Sequence, residues 1–212
     1  MPDMTAARFI SFEGGEGSGK TTQLRLLAAQ LRAAGHDVLE TREPGGTEGA
    51  EAIRQLLLTG GADRWDGMSE LLLVCAARRD HVRRVIRPAL DAGSMVLCDR
   101  FIDSTLAYQG YAQGLGAETV HALHRLALEN FMPDLTFLLD LPPEEGLDRA
   151  RRRGAASRFD KLDPSFHGRV REAFLEIAAS RPERFAVLDA TAPAATVAGL
   201  VWRRLNSPAP AV

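Results

Sequence analysis

Cysteine is scarce: the 212 residues hold two, Cys75 and Cys98. Both sit in apolar surroundings, LLLVCAA and SMVLCDR, and no C-x-x-C pair exists. A zinc ribbon or dithiol redox centre is therefore excluded, and two reduced core thiols are expected. Asparagine occurs only as Asn130 and Asn206, and neither opens an N-K-x-D segment of the kind that reads guanine. The D-x-x-G of a nucleotide-dependent switch is missing as well, which argues against a GTPase. No apolar run approaches the roughly 18 residues that a membrane span needs. The first nine residues, MPDMTAARF, carry an Asp and no apolar h-region, so no signal peptide is expected. Charge of one sign is not in excess either: the net charge is -2. The chain offers no surplus of cations to nucleic acid or to an anionic membrane. Together these absences predict a cytoplasmic protein with neither nucleic-acid nor membrane partners.

What is present is ordinary in bulk, with 45% hydrophobic and 25% charged residues, and it suits a single domain over 1–212. Short apolar runs without alternation alternate with helical periodicity. Strands are expected at 8–13 (RFISFE), 36–41 (HDVLET), 94–98 (SMVLC), 135–141 (LTFLLDL) and 185–189 (FAVLD). Helices are expected at 20–34, 48–58, 69–90 (kinked before Pro88), 116–131, 143–153, 164–179 and 194–205. The tail from 206 to 212, NSPAPAV, reads as frayed. This βα alternation predicts an α/β fold: a five-stranded parallel sheet flanked by helices, with ligands at the carboxyl ends of the strands.

Between the first strand and first helix stands Gly14-Gly15-Glu16-Gly17-Ser18-Gly19-Lys20-Thr21, a match to G-x-x-x-x-G-K-[ST] in its proper context. Glycines let successive backbone N–H groups turn onto a phosphate, and the helix N-terminus adds positive potential. Lys20 supplies an ammonium to the β- and γ-phosphates, and the Thr21 hydroxyl suits Mg²⁺. Residues 14–22, Thr22 included, form the expected ATP-binding segment.

The third strand ends in Asp99-Arg100 rather than the Asp-Glu of a motor ATPase, where a second acid polarises water. An arginine there suits an anionic acceptor. Arg42, Arg78 and Arg100 fall near the same sheet edge. Arg149, Arg151, Arg152, Arg153 and Arg158 surround the small-residue stretch GAAS. That run reads as a cationic lid over about 149–162, with Arg151 and Arg152 on its solvated face. Joining two polyanions requires such cations, and an arginine closing over a phosphoryl group is worth about 10³–10⁵ in rate.

Several segments together resemble the bacterial thymidylate kinases over nearly the whole chain. FEGGEGSGKTT resembles that family's phosphate loop, TREPGGT its second-strand loop, and DRFIDSTLAYQ its D-R-[FY]-x-x-S-x-x-A-[FY] signature. PDLTFLLDL with the following PEEGL, and the arginines around Gly154, resemble its fourth strand and lid. The resemblance implies a P-loop phosphotransferase that uses Mg²⁺ and ATP to convert dTMP to dTDP, and a homodimer. It gives catalytic roles to Lys20, Arg100, Arg153 and Arg158. Thr21 and Asp99 would attend the metal. Glu16 would reach the acceptor sugar, Arg100 the acceptor phosphate and Arg78 the pyrimidine edge. Ser104 and Thr105 would line the base pocket, with Tyr108 against the deoxyribose. Arg42, Pro44, Val74 and Gln109 complete the expected acceptor site, and the Glu43–Pro44 bond is expected cis.

Two departures stand out. The family's stacking Phe is replaced by Val74, so stacking is either lost or supplied by another ring such as Phe101. Ala77 stands where the family often has Asp. The residues leave open a kinase for another monophosphate such as dUMP, and also a nucleotide sensor that transfers nothing.

Overall fold

The computed structural model describes residues 8–61, 63–152, 154, 158, 159 and 162–206. Five strands form one parallel sheet in the order β2-β3-β1-β4-β5: β1 (Phe9–Glu13), β2 (Val38–Arg42), β3 (Met95–Asp99), β4 (Leu135–Asp140) and β5 (Phe185–Asp189). All of β1 and nearly all of β3 and β4 are buried, as strands covered on both faces must be. One core cluster, built on Ile10, Phe12, Leu97 and Phe137, packs beneath α1 (Lys20–Ala33) and α9 (Ala194–Asn206). The other, built on Phe9, Val96, Phe101 and Phe174, lies beneath the helices of the opposite face. These include α3 (Gly67–His81), α6 (Ala117–Leu128) and α8 (Pro164–Ser180).

The adjacent strands β1 and β3 thus send their following segments to opposite faces of the sheet. A crevice opens where such connections diverge, at the strands' carboxyl ends. The register sets the two ends side by side, with Phe12 beside Asp99 and Arg42 beside Asp99. Backbone bonds from Arg100 N to Phe12 O (2.9 Å) and from Glu43 N to Asp99 O (3.0 Å) tie the three loops together.

Side-chain caps start the remaining helices where polar residues permit. Thr47 accepts from Ala50 N at 3.0 Å to open α2 (Glu48–Leu58). Asp66 accepts from Ser69 N at 3.0 Å to open α3. Each satisfies an amide that the first turn would otherwise orphan.

Two helical regions differ from the sequence expectation. The expected 69–90 helix begins at Gly67 and loosens into a π-turn at Val82–Ile86, ahead of α4 (Arg87–Asp91). The change of register precedes Pro88, which sits in the first turn of α4, where its missing N–H costs little. The second difference is a helix that periodicity does not mark: α5 (Ile102–Thr105) continuing as a π-helix through Leu106–Ala112. Leu106 through Gly110 are all buried, so the segment has no polar face to contrast with an apolar one. Wide turns of this kind recur at functional sites. α7 (Pro143–Arg152) carries the start of the expected lid. Arg153 and the tail from 207 to 212 lie outside the described residues.

Candidate active site

The phosphate loop owes its shape to glycines at two tight places. Gly14 has φ +136°, and a Cβ there would stand 2.5 Å from the Leu139 carbonyl oxygen. Gly17 has φ +68°, and a Cβ there would collide with the backbone of Gly146 on α7. The loop therefore rests directly on the first turn of α7. α1 begins after Gly19 with no side-chain cap and no acid in its first turn. Its first amides are left to an anion, which the positive end of the helix favours.

Lys20 is buried, and its Nζ donates to Gly14 O (3.0 Å), Gly15 O (2.7 Å) and Ser18 Oγ (3.3 Å). Burial pulls its ammonium down to about 8, with Arg100 adding to the fall and Asp99, Glu16 and Glu13 opposing it. Gly14, Gly15 and Ser18 thus hold the lysine. Gly17, Gly19, Lys20, Thr21 and Thr22 line a cleft of about 240 Å³, together with Arg42, Asp99, Glu16, Glu43, Arg54 and Arg100. In it the Thr21 hydroxyl donates to the Asp99 carboxylate.

A larger cavity of about 460 Å³ adjoins the first and shares Glu16, Glu43, Arg54 and Arg100 with it. Pro44, Val74, Arg78, Ser104, Thr105, Tyr108 and Gln109 line it, so the structure brings the expected acceptor residues together. Arg42 lies on the cleft side only, where it pairs with Glu51 at 2.8 Å. The Glu43–Pro44 bond is cis.

Arg100 joins the two spaces. It has φ 72°, a left-handed conformation that costs a residue with a side chain of order 1–3 kcal/mol. That turn brings its guanidinium back over the loop. Nη2 donates to Glu16 Oε1 (2.8 Å), and Nη1 to Gly14 O (3.1 Å) and Ser104 Oγ (2.9 Å). Burial raises the Glu16 carboxyl, but Arg100 and Lys20 more than offset this and leave it below the usual range. The Tyr108 hydroxyl donates to the same Glu16 oxygen at 3.1 Å. Burial pushes this phenol up, with Glu16 adding to the rise, so Tyr108 acts as a neutral donor.

Deeper in the cavity, Arg78 donates to Glu43 Oε2 (2.6 Å) and Thr105 Oγ1 (2.8 Å). Beneath it, Glu13 at the end of β1 accepts from Phe101 N (2.7 Å) and Ser104 Oγ (2.5 Å). Glu13 therefore fixes the start of α5. Burial and nearby Asp103 raise its carboxyl to about 7, against the lowering effect of Ser104, Arg100 and the Phe101 amide.

Arg158, expected as a lid arginine that closes over a phosphoryl group, is buried. It is only 3% exposed and ion-pairs with Glu70, which is fully buried. Its Nε and backbone N donate to Leu57 O (3.0 Å) and Leu58 O (3.2 Å). A buried carboxylate needs such a partner, and Gln109 and Gln113 also donate to Glu70. Arg151 and Arg152 are exposed and pair with Asp148 along their own helix. Phe101 lines the cavity but has no exposed ring face to offer in Val74's stead. It is fully buried, with the Arg78 guanidinium 5.0 Å from its ring centre.

Sequence reasoning missed Arg54, Glu43, Glu13 and Phe159. Arg54 was within reach, because it follows Glu51 by one helical turn on α2, and Glu51 binds Arg42. Glu13 and Glu43 each end up buried through contacts made far along the chain, which no local pattern announces.

The chain matches the family model described as "Thymidylate kinase" over residues 12–199. It is 54% identical over 207 residues to the thymidylate kinase of Caulobacter vibrioides, covering 96% of this chain and all of that one. It is 55% identical over 185 residues to that of Rhizorhabdus wittichii, covering 86% and 89%. Its fold superposes with a TM-score of 0.77 on the crystal structure of thymidylate kinase from Ehrlichia chaffeensis, at 38% identity, covering 95% of this chain and all of that one.

Proposed function

The chain belongs to the thymidylate kinase family and moves a phosphoryl group from ATP to dTMP, giving dTDP; from that premise we propose which of its residues do so. The carrying observation is the pair of adjoining cavities with Glu16 and Arg100 at their junction. ATP phosphates occupy the cleft over residues 14–22, and dTMP occupies the larger cavity with its phosphate toward Arg100.

Lys20 leaves its carbonyl partners for the β- and γ-phosphates. Arg100 holds the acceptor phosphate, and Glu16 accepts from the sugar hydroxyl. Arg78 donates to a pyrimidine carbonyl from beside Thr105. Tyr108 stands against the deoxyribose and crowds a 2′-hydroxyl. The acceptor phosphate is anionic at neutral pH, so no general base is required. The chain's part is positioning and cationic stabilisation.

The oxygen donors of Thr21 and Asp99 suit Mg²⁺, which favours one or two protein ligands plus substrate phosphates. When bound, the ion neutralises charge on the transferring phosphates. Arg158's tie to Glu70 favours a role in holding the acceptor cavity's wall.

We also propose a cytoplasmic homodimer. Met68 and Leu72 on α3 and Leu126 on α6 are exposed apolar side chains, Leu126 by 84%, and these two helices pack against each other. Among the described residues no helix is long and apolar enough to cross a membrane.

The test of the site assignment is binding without turnover. With ATP and dTMP titrated separately, K20A is expected to weaken ATP and spare dTMP, and R100A the reverse. Loss of both ligands in both variants, with the fold intact, would contradict the two-cavity reading.

A further inference from the structure

We propose that Phe159 is the ring against which the acceptor base stacks in this protein, in the place that Val74 leaves without one. The proposal rests on the assignment of dTMP to the larger cavity.

Three rings line that cavity: Phe101, Tyr108 and Phe159. Two are spent. Phe101 is fully buried, with its edge on Phe9 (centroids 4.9 Å apart, planes at 87°) and Arg78 over it at 5.0 Å. Tyr108 is 6% exposed, carries Arg100 over its ring at 5.2 Å, and has its hydroxyl committed to Glu16. Phe159 is the most accessible of the three, being half-buried. A planar base needs an accessible ring on the cavity wall, and Phe159 is the most exposed of the rings that line it.

Its position is held rather than incidental. The Phe159 ring stands on the Tyr108 ring at 5.8 Å with planes at 88°, an edge contact that fixes its tilt. The preceding residue, Arg158, is anchored to Leu57 O, Leu58 O and Glu70, and its guanidinium lies 4.8 Å from the Phe159 centroid. A cation over one face leaves the other to a ligand. The anchors Leu57 and Leu58, and Val74 itself, all line the same cavity. The wall facing the base is thus built from the end of α2 and the Arg158–Phe159 pair, and α3 contributes, besides Arg78, only the small β-branched side chain of Val74.

Steady-state kinetics on F159A, F159L, V74F and the V74F/F159A double variant test this. F159A is expected to raise KM for dTMP about tenfold, the order of one aromatic contact, with KM for ATP unchanged. F159L keeps apolar bulk against Tyr108 but has no ring, and is expected to lose nearly as much as F159A. The double variant restores a ring from the α3 side and is expected to recover most of the loss, a coupling that a merely structural role would not produce. An F159A whose two KM values both match the parent overturns the stacking role and leaves the cavity assignment standing. A rise in KM for ATP instead of dTMP overturns both. An F159L equal to the parent, or a double variant no better than F159A, overturns the ring as the operative group.

Discussion

Arg100 donates to Glu16 Oε1 at 2.8 Å, so an ion pair closes the boundary between the phosphate cleft and the acceptor cavity. Both partners are mostly buried, and both touch both spaces. Glu16 also receives the Tyr108 hydroxyl, so one carboxylate organises the cation and the phenol on the acceptor side.

Removing that charge while keeping its shape is informative. E16Q is expected to raise KM for dTMP about tenfold, because charge-assisted hydrogen bonds exceed neutral ones by roughly 1–1.5 kcal/mol. KM for ATP should stay within about threefold of the parent. Equal changes for both substrates would place Glu16 on the ATP side.

The free lysine of the phosphate loop makes ATP binding pH-dependent. Burial lowers Lys20 to about 8 before nucleotide arrives, and bound phosphates raise it again. Its cationic form is therefore complete well below pH 8 and lost above it, so KM for ATP should climb as pH rises past about 8. Calorimetry in buffers of different ionisation enthalpy should find proton uptake on ATP binding near that pH. No uptake would mean that Lys20 is already charged in the free protein.

Glu13 should leave a mark on stability. Burial raises its carboxyl to about 7 in the folded protein, against 4.5 for an exposed glutamate, so the native state holds a proton that the unfolded chain releases. This contribution is fully present below pH 4.5 and is lost as pH rises through 7. The stability difference between parent and E13Q, measured by urea unfolding, should therefore shift against the parent as pH goes from 4.5 to 7. A difference that is flat across that interval would refute the raised value.

The Arg158–Glu70 pair separates two roles by kinetics. A wall-holding Arg158 predicts that R158A raises KM for dTMP and lowers Tm, since a buried carboxylate loses its cation. A transfer role predicts a fall in kcat of about 10³ or more with KM little changed. The observed pairing predicts the first outcome for R158A.

The sheet was legible because its strands are short apolar runs set between helical stripes. The phosphate loop was legible because the glycine spacing and the lysine answer to one geometry. The helix at Ile102–Ala112 was not, since every side from Leu106 to Gly110 is covered and hydrophobic contrast vanishes. The acceptor residues Ser104, Thr105, Tyr108 and Gln109 were found from a resemblance, without the helix that carries them. Arg158 was read as a lid arginine, and its burial was not legible because its partner, Glu70, lies 88 residues away in sequence. A buried ion pair between distant segments leaves no local trace.

The most direct test is ADP release from ATP and Mg²⁺ with dTMP, dUMP, UMP, CMP, AMP or GMP as acceptor, with K20A as the control. The account predicts rapid release with dTMP, far slower release with the other acceptors, and none in K20A. ATP binding without turnover on any acceptor, or a preference for a purine monophosphate, would contradict it.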